Sequence, residues 1–208
     1  MTFYVPAHFR VDDPQALFSF IERNAFGTLV TAGPAGLDVS HIPFLPERDD
    51  SGRVRLLGHV ARANGHWQAL EGAQHLRAIF EGPHGYVSPG WYQNHPAVPT
   101  WNYAVVHASG RARLLEEAEL HELLIRLSNV YEAGQERPWR AADLPAAYVS
   151  EMLKAIVGFE IEVELLEGKF KLSQNRPAEA PRVIAALEAG GETALAGLMR
   201  DHPPSRKG

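Results

Sequence analysis

Two stretches of this 208-residue chain hold most of the side chains that suggest chemistry, and they differ in kind. Across residues 80–110 the one Asp, Glu, Lys or Arg is Glu81, in a chain that is 22% charged. Tyr86, Trp91, Tyr92, Trp101 and Tyr103 crowd this segment, Pro89, Pro96 and Pro99 stiffen it, and Ser88, Thr100 and Asn102 supply neutral polar groups. Uncharged aromatic walls with a few amides and hydroxyls suit a planar, neutral ring system. The same composition fits a buried strand pair joined by a stiff loop, and composition alone does not separate the two. A planar heterocycle with a phosphate tail also needs a cationic anchor, and the chain offers two. The first is His59-Val60-Ala61-Arg62-Ala63-Asn64, at the end of an expected strand. The second is Lys169-Phe170-Lys171-Leu172-Ser173-Gln174-Asn175-Arg176, within a run (168–178) that has cations and no acid. Arginine presents a bidentate fork to phosphate, lysine a point charge, and Ser, Gln and Asn add neutral donors. A solvated basic turn is the plainer explanation of the second anchor taken alone.

Several other chemistries are excluded. The absence of cysteine removes disulfides, thiolate zinc sites, iron–sulfur clusters and a cysteine nucleophile. His121-Glu122 opens a helical zinc motif, but Ile125 stands where the second histidine belongs. In Gly85-Tyr86-Val87-Ser88-Pro89-Gly90 the residue after the serine is proline, which has no N–H for an oxyanion hole. Neither G-x-G-x-x-G nor a phosphate-binding P-loop occurs. The 10 histidines are scattered without ligand spacing, so no metal site is expected, although His41, His59 and His107 sit on expected strands that could face a pocket. No catalytic residue is assigned. The net charge of −5 argues against wholesale nucleic-acid binding, though a local basic patch would survive it. No apolar run approaches the ~18 residues of a membrane span. The first residues show no secretory signal, so a cytoplasmic location is expected.

The elements that must position these groups are legible from periodicity. Asp13-Pro14 starts a helix carrying Leu17, Phe20 and Ile21. Strands are expected at 26–31, 37–45, 54–61, 76–80 and 103–114, with a turn at Pro34-Ala35-Gly36 and a polar hairpin loop at 47–52. Leu120, Leu123, Leu124, Leu127 and Tyr131 form one helical stripe, and Tyr148, Met152, Leu153 and Ile156 form another. The period then switches to two: Phe159, Ile161, Val163 and Leu165 alternate with Glu160, Glu162 and Glu164, giving a strand with one buried and one acidic face. A last helical stretch covers 179–198 with a break at Gly190-Gly191, and 201–208 reads as a flexible tail. No repeat or linker divides the chain, so one domain over 1–200 is expected. Runs of strands with inserted helices predict an α+β fold with a mainly antiparallel sheet.

Taken in order, Phe3-Tyr4-Val5-Pro6-Ala7-His8-Phe9, Ser40-His41-Ile42-Pro43-Phe44, Gly58-His59-Val60-Ala61-Arg62-Ala63-Asn64, Phe80-Glu81-Gly82-Pro83-His84-Gly85-Tyr86-Val87-Ser88-Pro89, Val98-Pro99-Thr100-Trp101-Asn102-Tyr103 and Lys171-Leu172-Ser173-Gln174-Asn175-Arg176 form a pattern. It resembles the PaiB family, described as FMN-binding negative transcriptional regulators, over residues 1–200. One departure is Gly65, where the pattern has proline, which loosens that turn. The resemblance implies a six- to seven-stranded split β-barrel of the pyridoxamine-phosphate-oxidase-like, FMN-binding type with flanking helices. It also implies a homodimer with FMN at the subunit interface. On that footing Arg62 and Lys171 are candidates for the phosphate, with Ser173, Gln174 and Arg176 beside them. Trp101 and Asn102 are candidates for the isoalloxazine, with His59, Ala61 and Asn64 along the strand end. DNA as a partner rests on the family description, since no helix carries a recognition surface of Arg, Lys and Asn. The rival expectations are an FMN-dependent oxidoreductase or flavin reductase on a small substrate and, more remotely, a haem-binding or haem-degrading split-barrel protein.

Overall fold

Asp13 caps the first helix as its position requires: its Oδ1 accepts the N–H of Gln15 at 3.0 Å, and Pro14 opens α1 (Pro14–Arg23). The structure, a computed structural model, describes residues 3–33, 36–73 and 75–203. Pro34 and Ala35 of the expected turn and 204–208 of the expected tail therefore lie outside the described residues. The strands are β1 (Arg10–Val11), β2 (Phe26–Gly33), β3 (Gly36–Pro43), β4 (Leu45–Arg48), β5 (Val54–Ala61), β6 (His75–Val87), β7 (Thr100–Leu114) and β8 (Ile156–Lys171). They form one antiparallel sheet in the order β3-β2-β6-β7-β8-β5-β4, with β1 paired to β8. The fold class is the expected one. The strand count rises to eight because two-residue β1 is too short for a periodic signal and the expected strand over 37–45 is two strands.

That division falls at Phe44. Its N–H bonds the Ala25 carbonyl at 2.8 Å, its ring is 1% exposed, and the chain then passes from pairing with β2 to pairing with β5. The expected strand at 76–80 extends to Val87, and the one at 103–114 begins at Thr100. Glycine and proline disguised the first extension. Gly82 is required there because a Cβ would lie 2.7 Å from the Phe20 ring. Glu47 and Arg48 belong to β4, so the hairpin turn is confined to the residues around Asp49, whose carboxylate takes the N–H groups of Ser51 and Arg53.

The chain divides into two compact units, and β6, β7 and β8 each contribute one end to both. The first unit draws on Met1–Phe20, Glu81–Val106 and Glu167–Gly208. It holds most of α1, β1, α4 (Ala180–Ala189) and α5 (Thr193–Asp201), and buries Leu17, Phe20, Phe170, Val183 and Leu195. The second unit comprises Ile21–Phe80 and His107–Leu166. The Phe44 ring meets Phe80 and Phe159 edge-on, at 5.3 and 6.2 Å, in one part of its core. The other part is a leucine cluster in which α2 (Glu117–Glu132) and α3 (Ala146–Lys154) bring Leu120, Leu123, Leu127 and Leu153 onto Leu45 and Leu57. Each fully buried side chain of this kind contributes about 1.5–3 kcal/mol. The helical stripes are narrower than expected, since Tyr131, Tyr148 and Met152 are exposed and Ile156 starts β8. The acidic face of β8 is not simply solvated: Glu160 pairs with Arg55 and Arg113, and Glu164 with Arg111.

Candidate functional site

β8 carries the basic segment further into regular structure than a turn would. Lys169 and Lys171 are its last outward-facing residues, Phe170 and Leu172 point into the core, and the chain turns at Ser173. Ser173 has φ of 67°, a left-handed conformation that is unfavourable for a residue with a Cβ. Two interactions hold it. The Asn102 Nδ2 donates to Ser173 Oγ at 2.9 Å, and the Gln174 side chain is clamped, Oε1 accepting from Leu172 N at 2.7 Å and Nε2 donating to Phe170 O at 2.6 Å. The hydroxyl and amide of this turn thus hold the chain in a shape that aims its cations.

A pocket of about 160 Å³ results, lined by Thr100, Asn102, Lys171, Ser173 and Arg176, with Tyr92, Val98 and Pro99 along the loop side. The Lys171 ammonium donates to Thr100 Oγ1 and, at 2.6 Å, to the Trp101 carbonyl. Burial and the neighbouring charge of Lys169 push its pKa down. The Arg176 guanidinium stacks 4.9 Å from the Tyr92 ring, and the Lys169 ammonium sits 5.3–5.7 Å from the rings of Phe3, Tyr4 and Tyr103. Among the described residues no carboxylate pairs with these three cations. Glu179, three residues after Arg176 and 3% exposed, is engaged elsewhere. It accepts the N–H of Gln93 at 2.9 Å and of Asn94 at 3.0 Å, and those bonds hold its carboxyl below the usual range. Glu179 therefore pins the loop that carries Tyr92, Val98 and Pro99. On the outward face of the same unit, Trp101 is 54% exposed, with Tyr86 edge-on at 6.1 Å and His84 at 6.5 Å.

The candidates near the end of β5 all lie in the second unit. Arg62 follows the last residue of β5 and donates from Nε to Lys154 O at 2.7 Å and from Nη2 to Ile156 O at 3.1 Å. It therefore caps the C-terminus of α3, whose final carbonyls have no partner within the helix. Asn64 Oδ1 takes the His66 N–H at 3.1 Å and starts a short 3-10 turn, despite Gly65, around which a Cβ would meet open space. The same amide donates to Ser40 Oγ, which with Thr31 Oγ1 holds the buried His66 ring between 2.8 and 3.0 Å contacts. Ala61 is exposed, as the end of a strand with alternating faces requires. His59 shares its face with Leu57, the face covered by α2 and α3; its Nδ1 is buried without a hydrogen-bond partner among the described residues, and burial pushes its pKa down.

Asn102, Lys171, Ser173 and Arg176 thus meet in one pocket, while Gln174 and Trp101 flank it as support and as exposed ring. The sequence singles out Tyr92 and Pro99 by composition and Asn175 as a neutral donor without assigning them contacts, whereas Val98 as a wall and Glu179 as the loop's anchor were missed. Pro89, Pro96 and Pro99 were the available signal for the loop, but nothing local marks Glu179, whose partners lie over 80 residues away.

Residues 3–165 match the family described as "Putative FMN-binding domain". The protease synthase and sporulation protein PAI 2 of Bacillus subtilis is 37% identical over 174 residues, 83% of each chain. A protein of Emericella nidulans is 31% identical over 229 residues, 89% of this chain and 91% of its own. Among solved structures, the FAD and heme binding protein of Mycobacterium smegmatis superimposes with a TM-score of 0.60 at 14% identity, covering 78% of this chain and 73% of its own. The flavocytochrome Anf3 of Azotobacter vinelandii gives 0.59 at 18%, covering 80% and 72%. These likenesses show the split-barrel fold.

The residues present fit the group this family binds. A phosphate needs clustered donors and uncompensated positive charge, and the Lys171–Arg176 pocket has both. An isoalloxazine needs an aromatic or apolar surface, and Trp101 with Tyr86 provides one. The pocket is smaller than the ~300 Å³ lower bound of typical small-molecule sites, so its size matches an anionic group rather than a whole flavin nucleotide. Coverage, identity and chemistry agree: this chain belongs to the PaiB-type family of FMN-binding domains, and its cofactor is FMN.

Proposed function

We propose that the protein is a cytoplasmic, homodimeric flavoprotein in which Lys171 and Arg176 hold the FMN phosphate. The observation that carries this reading is the unpaired positive charge of the pocket. Elsewhere Arg55, Arg111, Arg113 and Arg126 each reach a carboxylate, whereas Lys171 and Arg176 have only neutral partners. Ser173 and Asn175 add hydrogen-bonding groups, and Trp101 offers its ring to the isoalloxazine. Arg62 keeps uncommitted donors after capping α3, and with His59, Ala61 and Asn64 it remains the second set of candidate contacts. A second copy of the chain completes the envelope that a pocket of about 160 Å³ leaves open. It has an apolar surface to use: Phe26, Leu37 and Val39 on β2 and β3 are 67%, 71% and 55% exposed, on an outer face that also holds the Thr28–His41 hydrogen bond of 2.9 Å.

Bound FMN supplies electron transfer, and the protein's part is to orient it and limit side reactions. The same ion pairing favours a redox role over the regulatory one. Arginines engaged with carboxylates have little charge left for a DNA backbone, which is recognised by several free cations at once. Negative transcriptional regulation remains the family-derived alternative, tested by salt-dependent binding to the protein's own promoter fragment.

The deciding experiment is a paired titration with FMN and riboflavin, followed by flavin fluorescence. Lys171→Ala and Arg176→Ala should each weaken FMN about 10- to 100-fold, the worth of a charge-assisted contact, and leave riboflavin nearly unchanged. An equal loss for both flavins would refute the phosphate assignment. Turnover of NADH or NADPH by the FMN-loaded protein then separates an oxidoreductase from a binding module.

A further inference from the structure

The helical segment after β7 contains a cavity that the flavin reading leaves unused. It measures about 650 Å³ and lies between α2, the 3-10 turn Ala141–Asp143 and α3. That is within the ~300–1,000 Å³ of small-molecule sites. Its origin is visible in the sequence of α2. One stripe of the helix, Leu120, Leu123 and Leu127, is spent on the leucine cluster. A second stripe, Ala118, His121 and Ile125, faces the 3-10 turn and α3, where Ala141, Ala142 and Ala146 are too short to fill the space. Leu144, Val149 and Leu153 line the rest, and the space between them stays an open, largely apolar groove whose rim residues Glu117, Ala118, Ala142 and Ala146 are exposed.

Three polar side chains line this cavity: Glu117, His121 and Ser150. None has a hydrogen bond or ion pair among the described residues, although the nearby acids Glu119, Glu132 and Glu151 are all engaged, with Arg113, the Trp139 N–H and Lys154. Glu117 and His121 are one helical turn apart on the same face, so an unpaired carboxylate and an imidazole border the same apolar space. Arg140 belongs to the adjoining pocket, and no cation lines this one. The charge left for a ligand is therefore negative.

We propose that this cavity is a binding site, separate from the flavin pocket, for a small hydrophobic amine. The apolar body occupies the alanine-walled space, and the ammonium pairs with Glu117 and donates to Ser150 or His121. A charge of the wrong sign would be repelled by Glu117, and an alcohol would forgo the ion pair.

The test uses 4-phenylbutylamine as the probe, with 4-phenylbutyrate and 4-phenylbutanol as controls, titrated calorimetrically into the full FMN-loaded protein. The amine should bind about tenfold more tightly than either control, a difference of about 1.4 kcal/mol. Glu117→Gln should bring the three affinities together. Ala146→Trp should abolish binding of all three while thermal melting and FMN affinity stay as in the parent, with Ala118→Trp as the second filling variant. Equal affinity for amine and acid, retention of the preference in Glu117→Gln, or no binding at 5 mM probe would overturn the assignment. A tryptophan variant that shifts the protein from dimer to monomer would also overturn it, because a second copy would then be the occupant.

Discussion

Arg62 and Lys171 look alike in the sequence, each a cation near a strand end, and the structure separates them. Lys171 is held among neutral oxygens in a pocket, with its charge uncompensated. Arg62 spends two donors on the carbonyls of Lys154 and Ile156, which makes it a cap for α3 whatever else it binds. Arg62→Ala should therefore lower stability by about 1 kcal/mol, because exposed carbonyls recover part of the loss from water. That corresponds to a fall in Tm of about 2–4 °C for a chain of this size, read by thermal melting. Lys171→Ala lacks such a helix-capping cost, so an unchanged Tm with Arg62→Ala would show that the cap contributes nothing. The amide and hydroxyl candidates divide likewise: Asn102 and Gln174 have their polar atoms engaged by the protein itself, and they act by shaping the Ser173 turn.

Elements place these residues through constraints that composition does not display. The central strands β7 and β8 approach so closely at Gly110 that a Cβ there would lie 1.9 Å from the Glu162 carbonyl oxygen. No side-chain rearrangement relieves contact with a main-chain atom, so Gly110→Ala should cost about 3 kcal/mol or more, measured by denaturant unfolding. Near-native stability would mean that the two strands separate without penalty. Gly82 performs the same service for the Phe20 ring, and together such positions explain why the charge-poor segment carries strand ends rather than only a loop. The helices show the complementary effect. Periodicity located α2 and α3 well, but it could not tell which apolar positions are covered, because Tyr131, Tyr148 and Met152 satisfy the helical spacing and still face outward.

At the scale of the molecule, the net charge of −5 conceals a local imbalance. The second unit holds 17 acids against 12 lysines and arginines and so carries the whole of that charge, and its arginines are drawn into ion pairs, as Glu47 shows by reaching both Arg55 and Arg126. The first unit keeps a cationic pocket open to a dianionic ligand. Among the described residues no helix is long and apolar enough to cross a membrane. Phe26, Leu37 and Val39 are exposed on the β2–β3 face, the surface that the proposed homodimer would bury. On that proposal, Val39→Asp should convert dimer to monomer in light scattering and weaken FMN, while shifting monomer stability by no more than about 0.5 kcal/mol. A dimer that survives the substitution would place the interface elsewhere.

Much of this protein was determined by local sequence. The Asp13-Pro14 cap, the period-two run through Phe159 and Ile161, the hairpin around Asp49 and the family motifs depend on neighbours in the chain, and they gave the α+β class and FMN as cofactor. The fate of each polar group was decided only by tertiary structure. Whether a cation lines a pocket, as Lys171 does, or caps a helix, as Arg62 does, depends on residues about 70 and 90 positions away. The same holds for Glu179, whose partners arrive on a distant loop. Hydrogen bonds and ion pairs are satisfied in space, and spacing along the chain records them only where the partners are also neighbours in sequence.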